Sequence, residues 1–212
     1  MYINKTIFPA YIFILILAFN NLSAQVSDKL SPPGIEKKHS LVLYVGGGYS
    51  SYISPFNFKG TGVESDIVRN GPGATIRVLW QPQYRLRVGI ESGFYNFYSY
   101  KLVNGNKQGK LSITAIPIMV VWSMSIVKRL EIFAGIGSYL ITSKLDYDGK
   151  VSSKANSLGT SVALSYKIPL SNRIAIGAEA KWMDAFQTKD AAVSAELRVI
   201  WKFFQWDGRK GK

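Results

Sequence analysis

The last part of the chain, residues 173–204, alternates apolar and polar side chains with a period of two over two successive runs. In the first run Ile174, Ile176 and Trp182 share one face, while Glu179 and Lys181 lie on the other. This period predicts β-strands, because successive side chains of a strand point to opposite sides of a sheet. Each run covers about 11 to 13 residues, whereas soluble strands usually have about 5 to 6 and a strand that crosses a membrane needs about 9 to 11. The two runs therefore predict a hairpin with one face in lipid and charges on the other.

The same alternation recurs earlier and predicts six further strands. They are expected at Leu41–Ser51, Gly73–Trp80, Arg85–Leu102, Leu111–Met124, Leu130–Lys144 and Leu158–Ile168. The first, third and fifth strands are followed by longer polar connections, with residues 146–156 as one example, and the second, fourth and sixth by short ones. Bacterial outer-membrane barrels combine longer outer loops with short periplasmic turns in this way. A sheet in lipid cannot leave an edge unpaired, so the pattern predicts an all-β, eight-stranded antiparallel up-and-down transmembrane β-barrel. The facing of its first and fifth strands stays open.

The N-terminal segment differs in character from the rest of the chain. Lys5 precedes an apolar run at residues 7–19, and the small residues Ser23 and Ala24 follow it. This order is typical of a secretory signal peptide cleaved after Ala24; the alternative is a retained membrane helix, for which the run is short of the required about 20 residues. The expected organisation is a signal peptide at residues 1–24, a flexible periplasmic lead-in at 25–40, an outer-membrane barrel at 41–204 and a polar tail at 205–212.

The charge of the chain is strongly basic. Its 26 Lys and Arg residues include Lys5 of the signal peptide, and 13 Asp and Glu oppose them, so the exported chain has a net charge near +12. A basic surface can bind nucleic acid, but export and the strand alternation favour another partner. Exposed Lys and Arg side chains are expected to meet anionic lipid phosphates of an outer membrane, and no nucleic acid is expected.

Charged residues on the inward faces of the predicted strands are the main candidate site. An eight-stranded barrel is just wide enough to be filled by side chains, and charges buried there must pair with one another. The expected role is a structural salt-bridge plug; the alternative is a narrow polar conduit. The predicted network consists of Arg77, Arg85, Arg87, Glu91, Glu179, Lys181, Glu196, Arg198 and Lys202.

Aromatic residues form two further predicted groups. Those near strand ends suit the interfacial belt of a membrane barrel. This belt is expected to contain Trp80, Trp122, Tyr166, Trp182, Trp201 and Phe203. Others cluster around the expected outer loops and are predicted to form an exposed surface for docking a partner, with girdle residues and loop self-packing as the alternative. They are Tyr52, Phe56, Phe58, Tyr95, Phe97, Tyr98 and Tyr100.

The sequence offers little for catalysis. It contains no cysteine, and its one histidine, His39, lies in the lead-in, where a solvated side chain is expected. Ser125 and Lys128 match the spacing S-x-x-K, but that motif needs a helix to aim the serine at the lysine. The chain is therefore expected to be non-enzymatic, with no cofactor and no metal.

Residues 111–140 resemble the paired strands of the outer-membrane β-barrel domain family that includes PorT-like proteins. The resemblance lies in the mid-strand pair Ile116-Pro117, a short turn, and the glycine-dotted strand around Gly135 and Gly137. It implies an eight-stranded barrel in the outer membrane of a diderm (Gram-negative) bacterium, usually without assigned activity.

The expected role is thus structural, scaffolding or partner docking at the cell envelope. The alternatives are a narrow porin-like channel for small solutes and an accessory component of protein secretion or surface adhesion. The expected partners are outer-membrane lipids, the barrel-assembly machinery that inserts the chain, and an unknown protein.

Overall fold

The computed structural model describes residues 38–53, 64–82, 86–104, 107–146 and 149–207. These ranges fold into β-strands joined by turns. The strands are β1 (Lys38–Tyr52), β2 (Glu64–Val68), β3 (Asn70–Gln81), β4 (Leu86–Asn104), β5 (Lys107–Val127), β6 (Leu130–Asp146), β7 (Lys150–Pro169), β8 (Ile174–Ala185) and β9 (Asp190–Asp207). The predicted signal peptide, Phe56 and Phe58 lie outside the described residues, as does Arg85.

The strands close into an eight-stranded antiparallel barrel, which confirms the predicted fold class. Only Arg69 separates β2 from β3, and both pair with β4, so they form one interrupted wall of the barrel. Every other neighbour pair follows chain order, and β1 closes the ring by pairing with β9 over Lys38–Tyr52. We call the end at which β1 begins and β9 ends the terminal end, and the other the hairpin end.

Alternation along the strands divides the side chains between the interior and the exterior, with register shifts in three of the strand pairs. On β9, Ser194, Glu196 and Arg198 are buried in the interior, while Leu197 and Val199 are exposed outside. The sequence left open which face of the first and fifth predicted strands points inward. These strands are β1 and β6, and their inward faces carry Tyr44 and Phe133. The outward face carries a band of exposed aliphatic residues around the barrel, among them Ile76, Ile90, Ile118, Ile136, Leu164, Ile176 and Leu197.

Several strands are longer than the sequence predicts, and two segments that were expected to be long loops are instead the ends of paired strands. Residues 101–104 pair with 107–110, and residues 142–146 pair with 150–154, so both segments are hairpins that extend the barrel wall. These extensions do not alternate apolar and polar side chains, so the two-residue period of hydrophobicity did not predict them. At the terminal end, β1 includes Lys38 of the expected lead-in and β9 continues through Asp207 of the expected tail.

Within the described part of the chain, no α-helix has the length and apolar character needed to cross a bilayer. The same residues contain no group of three or more His, Cys, Asp or Glu side chains arranged to hold a metal ion.

Candidate functional site

A cluster of charged side chains fills the middle of the barrel. It is built from four strands, β3, β4, β8 and β9, and each of its charged residues is at most 3% exposed. We call it the central cluster. Its three cations are Arg77, Lys181 and Arg198, and its three carboxylates are Glu91, Glu179 and Glu196.

Arg77 joins opposite sides of the barrel. Its Nε donates a hydrogen bond to Glu91 Oε2 at 2.6 Å, and its Nη2 pairs with the same oxygen. Its two terminal nitrogens also bind Glu179 in a parallel pair, at 3.0 Å to Oε2 and 3.1 Å to Oε1. The guanidinium lies 4.0 Å from the ring centroid of Phe133, a cation–π contact. Because a planar fork matches two carboxylates at once, this residue fixes β3 against β8 across the interior.

The other half of the cluster is centred on Glu196. Its Oε2 accepts hydrogen bonds from Thr75 Oγ1 at 2.6 Å and from Arg198 Nη2 at 2.8 Å. Its Oε1 accepts from the Tyr95 hydroxyl at 2.7 Å, and that hydroxyl in turn accepts from Lys181 Nζ at 3.0 Å. The neutral Tyr95 therefore connects a buried cation to a buried anion.

The cluster is balanced in charge, which decides whether it can exist in a dry interior. Lys181 Nζ lies 2.6 Å from Glu91 Oε1, and Arg198 Nη2 lies 2.7 Å from Glu179 Oε1. Every carboxylate thus contacts at least one cation, and the three positive charges equal the three negative ones. Removing one partner of such a buried pair typically costs about 3 to 5 kcal/mol, because it leaves an uncompensated charge.

Small residues on β1 make room for these long side chains. Gly46 is the cross-strand partner of Arg198, and Gly48 is the partner of Glu196. A Cβ atom at Gly46 would lie 2.7 Å from Arg198 Cγ, and one at Gly48 would lie 1.9 Å from the Ala195 carbonyl oxygen. Gly46 therefore leaves space for the Arg198 side chain, and Gly48 allows the backbones of β1 and β9 to approach closely.

A second polar cluster lies nearer the terminal end and is centred on Glu131. This carboxylate is fully buried and pairs with Arg87, with Lys167 and with the Tyr44 hydroxyl, whose oxygen is 3.3 Å from Oε2. Arg87 also donates to Ser125 Oγ at 2.9 Å. Two cations face one carboxylate here, so this end of the interior is more positive than the middle.

Aromatic rings fill the hairpin end of the interior, which contradicts the predicted exposure of four of the seven docking residues; the side chains of Phe56, Phe58 and Tyr100 lie outside the described part of the chain. Tyr52, Tyr95, Phe97 and Tyr98 are all at most 7% exposed. The rings of Tyr52 and Tyr98 lie 4.7 Å apart, and the Tyr52 hydroxyl donates to Asp190 Oδ1 at 2.7 Å. For these residues the prediction was wrong because β4 continues as a paired strand to Asn104. Tyr95 and Phe97 follow the period of two from the buried Glu91, and the register shift between Asn96 and Tyr98 turns Tyr98 inward as well.

The remaining predicted site residues have separate positions. Lys202 lies half-buried on β9 near the terminal end, and Tyr100 lies on β4. The predicted belt residues are on the outward face. Trp80, Tyr166, Trp201 and Phe203 are exposed at the terminal end, while Trp122 and Trp182 are half-buried.

His39 is not the solvated side chain that the sequence suggested. It lies in β1 between two indole rings, with its centroid 5.8 Å from that of Trp80 and 5.4 Å from that of Trp206. The interplanar angles are 19° and 21°, so the three rings are stacked. The stack forms because β1 starts earlier than expected, at Lys38, and β9 ends later, at Asp207. Lys128 is exposed in the β5–β6 turn, while Ser125 faces Arg87 inside the barrel, so the S-x-x-K match forms no site.

Sequence reasoning missed Glu131, Lys167 and Thr75 as members of the interior clusters. Glu131 is on the strand whose facing was open, so its alternation alone could not place it. Lys167 shares a face with Ser161, Ser165 and other small polar residues of β7, and this pattern could have identified it. Thr75 is uncharged and gave no signal.

No protein-family model matches this sequence, and a comparison with curated proteins found no match. Among solved structures, the chain is similar to Ail, the attachment invasion locus protein of Yersinia pestis, with a TM-score of 0.46 at 8% identity, over 81% of this chain and 100% of that one. It is also similar to Neisserial surface protein A, with a TM-score of 0.43 at 13% identity over 78% and 99%. A major outer membrane protein from Thermus thermophilus gives 0.48 at 12% identity over 78% and 99%. At such identities the likeness concerns the fold alone.

Proposed function

We propose that this chain is a non-enzymatic, integral outer-membrane barrel whose interior is closed and which holds the long β4–β5 and β6–β7 hairpins above the membrane as a scaffold or docking platform. The central cluster is the observation that carries the proposal. It occupies the position where a channel would need an open path.

The exterior supports the membrane location. Side chains such as Ile90, Leu197 and Val199 are between 53% and 74% exposed on the outward face, and they form part of a continuous apolar band. Soluble proteins rarely expose contiguous apolar patches larger than a few hundred Å². Lipid is the solvent that suits such a surface, and a closed ring of strands is one of the two structures that can span it. Export by a cleaved signal peptide, with insertion by a barrel-assembly machinery, is part of this proposal.

The interior supports a scaffold more than a channel. The central cluster crosses the lumen from β3 to β8 through Arg77, and the aromatic layer that includes Tyr95 and Phe97 lies directly beyond it toward the hairpin end. A small solute would have to separate several buried ion pairs and then displace packed rings. The narrow channel that the sequence left as an alternative therefore has no supporting observation in the described residues.

The strand lengths support a platform. β4, β5, β6 and β7 contain 19, 21, 17 and 20 residues, whereas about 9 to 11 are enough to cross a bilayer. The excess lies at the hairpin end, where paired strands continue as a rigid wall. Rigid elements position a binding surface better than mobile loops do.

Cell fractionation and conductance recordings test the proposal together. The protein should float with outer membranes, and its gel mobility should change on boiling. In planar bilayers the folded protein should give no single-channel steps. The variant Glu91→Ala/Lys181→Ala, which removes one cation and one carboxylate from the central cluster, should show brief conductance if the cluster is the plug. Steady conductance by the unaltered protein would favour the channel, and release from membranes without detergent would overturn the membrane location.

A further inference from the structure

The outward face of the extended wall carries a compact group of lysines at the hairpin end. Strands β5, β6 and β7 continue there beyond the exposed apolar residues Ile116 and Leu140. The group, which we call the lysine face, contains Lys110, Lys144, Lys150 and Lys154, all of them exposed. Cross-strand partners project to the same side of a sheet. The partners on β5, β6 and β7 therefore form rows across this face, each with one residue from each strand.

Two rows of the lysine face combine a cation with hydroxyl groups. In one row Lys144 on β6 is paired with Ser112 and with Ser152. In the next row, closer to the apolar band, Thr142 is paired with Thr114 and with Lys154. Lys144 and Lys154 are therefore diagonal neighbours on adjacent strands, about 7 to 8 Å apart at their Cα atoms. Two flexible ammonium groups at this spacing can bind the same small anion, with hydroxyl donors beside them.

The two rows that contain Lys144 and Lys154 hold no acidic residue among the described partners, in contrast to the row above them. There Asp146 is paired with Lys110 on one side and with Lys150 on the other. The carboxylate partly neutralises those two lysines. Asp146 also lies two residues from Lys144 on the same side of β6, so Lys154 is the member of the described face that is furthest from this carboxylate, and the two rows together carry two cations.

The height of the two lysines above the apolar band matches the polar region of a bilayer. Lys154 is two residues beyond Asn156, the partner of Leu140, which is about 7 Å along the strand; Lys144 is four residues beyond Leu140, about 13 Å along the strand. Strand tilt of about 35 to 45° shortens these heights. The polar headgroup layer adds about 5 to 7 Å to each side of the hydrocarbon core, and a lysine can bend its apolar stem toward it.

The geometry points to a binding site for the phosphate of an anionic membrane lipid, formed by Lys144 and Lys154 with the hydroxyls of Ser112, Thr114, Thr142 and Ser152. This inference rests on the proposed membrane location and adds its lipid partner. A lipid is favoured over a soluble polyanion because the two cations border the apolar band on the lipid-facing side of the wall. An acyl chain can then lie against Ile116 and Leu140 while its phosphate contacts the lysines.

Native mass spectrometry of the folded barrel in neutral detergent tests the site, with phosphatidylglycerol as the titrated probe. The variant Lys144→Gln/Lys154→Gln should bind the lipid about 30-fold more weakly, given about 1 kcal/mol for each lysine near an anionic surface. The matched variant Lys110→Gln/Lys150→Gln removes the same charge from the same face, but from the row that contains Asp146. It should keep most of the affinity.

Two further measurements separate the possible outcomes. Heat-modifiable gel mobility of each variant reports whether the barrel itself forms, so a failure of the proposed membrane fold is seen independently of lipid binding. Glycerol 3-phosphate, the headgroup fragment without acyl chains, reports whether a membrane is needed. Equal lipid binding by both double variants with intact barrels would overturn the site. Equally tight binding of glycerol 3-phosphate and lipid would assign the surface to a soluble anion and would also overturn it.

Discussion

Tyr95 on β4 donates a hydrogen bond to Glu196 on β9 across the interior of the barrel, with 2.7 Å between the phenol oxygen and Oε1. The two residues are 101 positions apart in sequence. The same hydroxyl accepts a hydrogen bond from Lys181 Nζ. The contact therefore joins three strands and connects the aromatic layer of the hairpin end to the central cluster.

Replacement of Tyr95 by Phe should destabilise the barrel by about 1 to 3 kcal/mol, because a buried carboxylate oxygen and a buried ammonium each lose a partner while the ring is kept. Urea unfolding in lipid vesicles, followed by tryptophan fluorescence, measures the change. Tyr49→Phe is the matched control, since Tyr49 is 67% exposed on the outward face. An equal effect of the two substitutions would contradict the role assigned to the Tyr95 hydroxyl.

Replacement of Arg77 by Leu should cost about 3 to 5 kcal/mol, because Glu91 and Glu179 would keep their charges and lose their shared cation. The double variant Arg77→Leu/Glu91→Leu restores a balance of two cations and two carboxylates. It should unfold at a higher urea concentration than the single variant.

Arg173→Leu is the control for this pair, since Arg173 is exposed in the β7–β8 turn and its loss should leave unfolding unchanged. A double variant less stable than Arg77→Leu would show that hydrogen-bond geometry outweighs charge balance in the central cluster.

The three consecutive glycines of β1 should differ sharply in their tolerance of alanine. Gly48→Ala should destabilise the barrel by about 1 to 3 kcal/mol, since its Cβ would lie 1.9 Å from the Ala195 carbonyl oxygen at the β1–β9 seam. Gly47→Ala places its Cβ in ordinary contact, 3.7 Å from the nearest atom, the Gly73 carbonyl oxygen. The measurement is the urea midpoint of each variant, and similar midpoints would contradict the close approach at Gly48.

The amino-acid sequence was sufficient for the fold because the strands alternate apolar and polar side chains over most of their length. Apolar residues such as Ile76, Ile118 and Leu197 share the outward face of their strands. The alternation therefore placed Arg77, Glu91 and Glu196 on the opposite, interior face. Their detailed pairing could not be read in this way. Arg77 meets Glu179 from 102 positions away, and such a contact depends on barrel closure and strand registry.

The errors in the sequence-based prediction arose where the alternation of apolar and polar side chains ends or was not followed far enough. Lys154 lies in the part of β7 above the apolar band, where both faces carry polar residues, so residues 146–156 resembled a loop; Lys144 was the expected last residue of its strand. Tyr95 and Phe97 were assigned to an exposed surface because aromatic residues near an expected loop suggested docking. Both lie on the same face of β4 as the buried Glu91, so the period of two, continued along the strand, places them in the interior; only Tyr98 depends on the register shift after Asn96.

The stack of His39 between Trp80 and Trp206 yields the last prediction. β1 and β9 meet at the seam where the barrel closes, and the three rings cover the terminal end of that seam. Each stacked contact is worth about 0.5 to 1.5 kcal/mol beyond its buried area. His39→Ala should therefore lower stability by about 1 to 3 kcal/mol and change the tryptophan emission of the folded barrel.

His39→Phe separates stacking from the other properties of the imidazole. A phenyl ring retains an aromatic face toward both indoles but carries no nitrogen, so this variant should keep most of the stability that His39→Ala loses. Urea unfolding in lipid vesicles compares the three proteins under one condition. If His39→Phe were as unstable as His39→Ala, the imidazole nitrogens and not the stacked rings would be what holds the seam at this end.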